Sequence, residues 1–336
     1  MVMRVGIVGC GLIGGKRAAA LGSCVLTAVA DVQLERARKL AAAHASCRLV
    51  TDDWRSVVSS PDVDLVVVAT TNDVLTPALA AAVEHGKHVL VEKPAARSAA
   101  ELAPIVKLAR SRGVTVKVGF NHRFHPAIHK AKALVEAGEV GPLMFIRGRY
   151  GHGARVGYER EWRANPAVSG GGEMLDQGVH LVDLARWFLG DFPEVSGHVG
   201  TFFWNMPVED NGFALLRTAA GQVAWLHASC TEWKNMFSLE IYGRTGKLQI
   251  DGLGGSYGVE RLSFYRMLPQ MGPPETTIWE YPGEDGSWKA ELADLLDAVE
   301  RHRDPCGTLE DALAALQVIQ KLYDAAPLGR LAQGQS

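Results

Sequence analysis

The sequence predicts an α/β protein: a doubly wound parallel sheet over residues 1–121, then an α+β domain over residues 122–336 with a mostly antiparallel open sheet. Three observations carry this. As far as Asn121, short β-branched runs alternate with alanine-rich segments, the pattern of βαβ units with right-handed crossovers. Beyond Asn121 the texture changes to loops rich in Gly, Arg and aromatics, one strong helix, and hairpin-like runs. A length of 336 residues is enough for two cores of ordinary size.

Taken in order, the buried strands are expected at Arg4–Val8, Val25–Ala30, Leu65–Ala69, His88–Glu92 and Thr115–Gly119. Helices are expected between them at Leu34–Ala43, Pro77–Glu84 and Ala99–Arg110. A Gly-, Arg- and aromatic-rich loop, Gly148–Asn165, precedes one helix over Glu173–Leu189. Strands follow at Val195–Phe203, Gly212–Thr218, Val223–Ser229 and Phe237–Tyr242, with turns at Gly221-Gln222 and Arg244–Gly246. Helices Trp288–Arg301 and Leu309–Tyr323 close the second domain, and Gln333–Ser336 reads as a frayed end.

Composition excludes several function classes. A net charge of −2 leaves no basic surplus for a nucleic-acid backbone. No apolar run approaches the ~20 residues a membrane-spanning helix needs, and no Lys/Arg block suggests a membrane surface. The first strand begins too early for a signal peptide, and the scattered, odd number of cysteines forms no Cys-x-x-Cys pair. The expected compartment is therefore the cytoplasm.

Gly9-Cys10-Gly11-Leu12-Ile13-Gly14 follows the first strand and opens the first helix. Gly9 allows the tight turn, Gly11 admits a pyrophosphate, and Gly14 allows close packing of helix on strand. The phosphates would then meet free amides and the positive end of the helix dipole. Asp31 ends the second strand, where a carboxylate can take both ribose hydroxyls. This is the fingerprint of a Rossmann domain, with Gly9, Gly11, Leu12, Ile13, Gly14 and Asp31 as cofactor-binding positions. Asp31 would repel a 2′-phosphate, and neither Val32 nor Gln33 supplies a cation, so NAD is expected rather than NADP.

Glu92-Lys93-Pro94 ends the strand His88–Glu92, at the strand end where ligands bind in such sheets. Lys93 can donate a hydrogen bond to a substrate oxygen; taken alone, the tripeptide is equally a surface turn. In a helix starting at Glu173, Asp176, His180 and Asp183 share one face. Alcohol oxidation needs a base for the hydroxyl proton, and histidine titrates in the useful range. By itself His180 reads as an ordinary helix histidine; Asp176 and the glycines at 170–172, which would let a substrate reach the helix start, argue for more.

Together these segments resemble the glucose–fructose oxidoreductase / inositol dehydrogenase (Gfo/Idh/MocA) family over nearly the whole chain. The matching positions are Gly9-x-Gly11-x-x-Gly14, Asp31, Gly86–Pro94 and Gly170-Gly-Gly172-x3-Asp176-x3-His180. The resemblance implies hydride transfer at a ring hydroxyl or ketone of a sugar, nucleotide-linked sugar or cyclitol. Lys93, Asp176 and His180 fall at the family's catalytic positions, with His180 accepting the proton. It further implies that Thr70, Asn72, Glu92 and Lys93 help hold the cofactor. Asn121, Arg123, Trp162 and Arg163 would line the substrate with Lys93, Asp176 and His180. Relatives commonly pair into homodimers or homotetramers through the second sheet. One departure stands out: many relatives carry Thr-Pro-Asn and then His after the fourth strand, whereas Thr70-Thr71-Asn72-Asp73 lacks both Pro and His.

Two other readings of the family remain open, a redox-neutral NAD-dependent glycosidase and a non-catalytic dinucleotide-binding regulator; intact Lys93, Asp176 and His180 disfavour the latter. His122-x2-His125-x3-His129 has metal-like spacing, but Pro126 disfavours helical geometry there and no cysteine is near, so no metal is expected. The arginines and aromatics of His152–Arg163, beside Arg123, suit a ring with an anionic appendage, so a nucleotide-linked or acidic sugar is the expected substrate; a solvated loop with ordinary charges is the alternative. Trp225, Trp233 and Trp279 are expected in the second domain's core or an interface.

Overall fold

The computed structural model describes residues 2–326 and 328–330, so the expected fraying of Gln333–Ser336 lies outside the described residues. The chain forms two compact units: residues up to Asn121 with Trp288–Leu313, and His122–Ser287 with Ala314 onward.

In the first unit β1 (Arg4–Val8), α1 (Leu12–Ala19), β2 (Val25–Ala30), α2 (Leu34–Ala42), β3 (Leu49–Thr51) and α3 (Trp54–Val58) are followed by β4 (Leu65–Val68), α4 (Asn72–Glu84), β5 (His88–Val91), α5 (Ala99–Arg112) and β6 (Val116–Val118). The six strands pair in parallel in the order β3-β2-β1-β4-β5-β6. Every residue of β4 is buried, as a strand covered on both faces requires. β3 escapes the sequence reading because three half-buried residues carry no periodicity. α4 starts at Asn72, five residues before the expected Pro77, which sits inside the helix.

In the second unit α6 (Pro126–Glu136) precedes β7 (Leu143–Gly151), and the short α7 (Pro166–Ser169) and α8 (Glu173–Asp176) lead to α9 (Gly178–Leu189). Then come β8 (Glu194–Thr201), β9 (Asn211–Arg217), β10 (Val223–Ser229), β11 (Met236–Gly243), β12 (Gly246–Asp251), β13 (Glu260–Arg266) and β14 (Glu275–Tyr281). After α10 (Ser287–Arg301) and α11 (Leu309–Ala325), β15 (Gly329–Arg330) completes a nine-stranded sheet ordered β14-β13-β12-β11-β7-β10-β9-β8-β15. Its pairs are antiparallel except β7 with β10 and β8 with β15.

Three expectations are corrected here. β7 takes the first four residues of the expected loop, Gly148 to Gly151; a Cβ on Gly148 would press on Leu181, Leu226 and Leu239, so the glycine serves close packing under α9. The helix expected over Glu173–Leu189 is broken at Gln177 into α8 and α9. Trp288–Leu313, read along the sequence as part of the second domain, belongs to the first unit: Leu292 and Leu295 of α10 are buried with Val5, Ile7, Leu26 and Leu65.

Alternation settles the faces of the second sheet. Ala214, Leu216, Ala224 and Leu226 point inward; Leu215 and Trp225 are exposed on the other face. Trp233 is exposed as well, so neither it nor Trp225 is a core residue. Among the described residues no helix is long and apolar enough to cross a membrane.

Candidate active site

The positions expected to hold the cofactor lie in the first unit, at the carboxyl ends of β1, β2, β4 and β5. Gly9 has φ +94°, and a Cβ there would lie 2.3 Å from the Ala69 carbonyl oxygen. A Cβ on Gly14 would lie 1.9 Å from the Gly9 oxygen, so both positions are closed to any side chain by rigid backbone. Gly11 differs: it is the N-cap of α1 without a side-chain cap, and its Cβ direction meets nothing within 4 Å. The start of α1 is therefore an open cradle of amides, which fits a pyrophosphate. Asp31 is buried and accepts from Cys10 N and Gln33 N, both at 2.8 Å. Leu12 and Val32, apolar and largely exposed, flank the turn. Burial pushes the Cys10 thiol up to about 12, helped by Asp31 and Cys47, so it is an inert packing residue.

Thr70 lies between β4 and α4, and Asn72, buried, opens α4. Lys93 is half-buried just after β5, and its peptide bond to Pro94 is cis. Glu92 turns out to have an occupation that the sequence does not reveal. Arg17 of α1 donates Nε–H to Glu92 Oε1 at 2.7 Å and Nη1–H to Glu291 of α10, with the Trp288 ring 4.4 Å from its guanidinium. All three charged groups are buried, and burial pushes the Glu291 carboxyl up against the pull of Arg17. The Glu92 carboxylate is thus engaged by Arg17, where cofactor contact had been expected.

In the second unit the expected catalytic and substrate-lining positions gather on α8, α9 and the loops before them. Arg163 donates Nε–H to Asp176 Oδ2 at 2.9 Å and lies 4.6 Å over the Trp162 ring. Asp176 and then burial act on the Arg163 guanidinium in opposite senses; the carboxylate wins and raises its pKa. His180 is buried and stacks on His122, with centroids 3.8 Å apart at 19°. The Tyr150 ring meets His122 edge-on at 4.9 Å. Burial, and its hydrogen bond to Tyr257, hold the Tyr150 phenol well above its ordinary range.

Arg123, expected to line substrate, forms a two-point ion pair inside the unit instead: Nε to Asp183 Oδ2 at 2.8 Å and Nη2 to Oδ1 at 2.5 Å, both residues buried. Asn121 is buried at the start of the 3₁₀ turn Asn121–Phe124. His125, weighed as a metal ligand, pairs with Glu260 at 2.9 Å and serves as N-cap residue of α6, whose first residue is Pro126. The loop arginines are matched by carboxylates: Arg155 with Glu161 at 2.7 Å, and Arg160 with Glu159 at 3.8 Å. Beside them His152 Nε2 lies 3.4 Å from the buried Glu173. Burial alone would lower the His152 pKa, but the hydrogen bond and charge of Glu173, with Asp176 behind, raise it above its ordinary value.

The glycine entry has a tighter purpose than substrate access. A Cβ on Gly171 would lie 2.5 Å from the Tyr323 hydroxyl, and one on Gly172 would lie 2.1 Å from the Glu209 carbonyl oxygen. Sequence reasoning misses Tyr150, Glu209 and Tyr323, which come from distant segments with no motif around them, and reads His122 only in a metal-like spacing and His152 only as part of a loop.

A Gly-rich turn with an acid at the next strand end, joined in one chain to a buried helix histidine following a carboxylate, defines a nicotinamide-dinucleotide-binding oxidoreductase of two-unit design. Comparison with known proteins agrees. Residues 3–120 match the model of an oxidoreductase family with an NAD-binding Rossmann fold, and residues 128–249 match the Gfo/Idh/MocA C-terminal domain. The scyllo-inositol 2-dehydrogenase (NAD(+)) of Bacillus subtilis strain 168 is 30% identical over 332 residues, 94% of this chain and 92% of that one. The levoglucosan dehydrogenase of Pseudarthrobacter phenanthrenivorans is 32% identical over 173 residues, 51% of this chain but only 44% of that relative's length. A solved levoglucosan dehydrogenase in complex with NADH superposes with TM-score 0.88 at 23% identity over 97% of each chain, which shows the shared fold. The chain belongs to the Gfo/Idh/MocA oxidoreductase family.

Proposed function

We propose that this protein is an NAD-dependent dehydrogenase acting on a ring hydroxyl of a neutral sugar or cyclitol. The observation that carries the reading is His180, a buried imidazole stacked on His122 and set four residues after Asp176. Gly9, Gly11, Leu12, Ile13, Gly14 and Asp31 would hold NAD, with Thr70 and Asn72 at the neighbouring strand end. Bound NAD supplies the acceptor for the hydride that leaves the carbinol carbon. His180 takes the hydroxyl proton at its imidazole nitrogen. Asp176, oriented by Arg163, stabilises the charge that His180 acquires. Lys93 donates from Nζ to the reacting oxygen, and Trp162 offers an apolar ring face.

A neutral substrate follows from the charge arrangement. Arg123, Arg155, Arg160 and Arg163 each have a carboxylate partner, so an anionic substrate would have to displace one. The scyllo-inositol and levoglucosan dehydrogenases named above act, by their names, on neutral polyols. The half-exposed apolar face around Leu215 and Trp225 further suggests self-association into a homo-oligomer, and five free cysteines suit a cytoplasmic setting.

The test follows nicotinamide absorbance with NAD or NADP and a panel of inositols, hexoses, anhydrosugars, uronic acids and nucleotide sugars. Reduction of NAD by a neutral polyol, lost by about 10²–10⁴-fold in kcat in His180→Asn with NAD binding intact, is the expected result. Turnover confined to uronates or nucleotide sugars would overturn the neutral-substrate reading. Release of an aglycone from a glycoside without net NADH would replace oxidation with redox-neutral cleavage. Light scattering that finds a monomer at micromolar concentration would remove the oligomer.

A further inference from the structure

We infer that Glu209, backed by Tyr323, is a positioning residue for the reaction: it seats the helix start that sets Asp176 and, after it, His180. The argument begins with the backbone. α8 is four residues long, and its first amides have no partner within the helix. Glu209 takes them. Its Oε2 accepts from Gly172 N at 3.0 Å, its Oε1 from Met174 N at 3.0 Å, and its own carbonyl oxygen from Glu173 N at 3.0 Å. Tyr323 of α11 donates its O–H to Glu209 Oε1 at 2.6 Å.

Glu209, steadied by the Tyr323 hydroxyl, therefore holds three consecutive amides, Gly172 and Met174 on its carboxylate and Glu173 on its carbonyl, two residues short of Asp176. The glycines at 171 and 172 exist to allow this, because a side chain on either would strike Tyr323 or Glu209. A seat made of hydrogen bonds to a single carboxylate depends on its charge. Protonating Glu209 places a hydrogen where an amide must donate, so at least one of the three bonds to the carboxylate is lost. The carboxyl is held up at about 7 by burial, against the hydrogen bonds from Tyr323 and the amides. The other ionisable groups around α8 are Glu173 and Asp176 on it, His152 and Cys230 facing Glu173, Arg163 on Asp176, and Asp210, which accepts from the amides of Phe202, Phe203 and Trp204. Above neutrality the seat is complete; below it, Asp176 and His180 lose their fixed placement.

This inference rests on the catalytic reading of Asp176 and His180 above, and the experiment separates the two. kcat, KM and NAD affinity are measured against pH for the wild type, Glu209→Gln and Tyr323→Phe. The His180 ring signal is followed by NMR in the same proteins, identified by its loss in His180→Asn. Glu209→Gln should lower kcat about a hundredfold, the cost of an ångström-scale misplacement, with NAD affinity unchanged. Tyr323→Phe removes a donor that favours the carboxylate, so the acid limb of kcat should move to higher pH while activity at high pH stays near that of the wild type. A purely structural role would not move that limb. Should Glu209→Gln fail to fold, Tyr323→Phe alone decides. An unmoved limb with an unmoved His180 signal overturns the inference. An inert wild type whose His180 signal shifts in the variants upholds the seat and overturns the catalytic reading instead.

Discussion

The two units place their polar chemistry in opposite ways. In the first, the sheet is sealed, with β4 wholly buried, and the polar groups open at its strand ends are backbone amides at a turn whose Gly9 and Gly14 cannot be replaced. Its buried ion pairs tie strands and α1 to α10: Arg17 with Glu92 and Glu291, and Lys117 with Asp294. In the second, side chains do the work, and each buried polar group leans on another: Arg123 on Asp183, His125 on Glu260, Tyr323 on Glu209. The first unit is vulnerable to atoms added. The second is vulnerable to partners removed.

Four substitutions test that contrast, in falling order of effect. Gly14→Val puts a side chain against the Gly9 carbonyl, which cannot move without opening β1, so no NAD-binding protein should be recovered. Normal NAD affinity in that variant, measured by calorimetry, would break the comparison on its first side. Asp183→Asn leaves the Arg123 charge buried without its carboxylate and should cost about 3–5 kcal/mol in urea unfolding. A loss below 1 kcal/mol would show that the second unit tolerates removal after all. Asp31→Ala deletes the acceptor of the Cys10 and Gln33 amides and the expected ribose ligand. Its NAD dissociation constant should rise about tenfold, as one charge-assisted hydrogen bond implies; an unchanged constant would move the ribose elsewhere.

The smallest effect is the most diagnostic. His152 carries a raised pKa through Glu173, so its contribution to stability is fully present below the ordinary histidine range near 6.5 and is lost as pH climbs past the raised value. His152→Gln should therefore melt lower than the wild type at pH 6 and together with it at pH 9. Equal melting at both values would detach His152 from Glu173.

How much of this is legible in the sequence follows the same division. Periodicity marks β1, β2 and β4 within a residue because β-branched runs are what a doubly covered strand needs. β7 stays hidden because its inward position needs Gly148 and its outward ones carry Arg147 and Arg149, a composition that imitates a loop. The turn at Gly9–Gly14 and Asp31 announces itself, since backbone requirements are written in consecutive residues. Lys93, Asp176 and His180 are found through motif order. Their supports are not: His122 reaches His180 from 58 positions away, and Tyr323 reaches Glu209 across 114. Nor does the apolar stripe of α10 reveal which core it fills, because a linear reading assigns a helix to the domain it follows.

That last feature has a meaning for how the chain is made. The strands of the nucleotide unit are synthesised before the whole of the second sheet, yet Leu292, Leu295 and the carboxylate facing Arg17 emerge only after it. Until then the nascent sheet exposes the apolar groove that α10 will cover. The unit whose strands come earlier in this chain thus waits for a helix beyond the intervening unit, and chaperone occupancy on stalled chains should persist until residues beyond Arg301 are released.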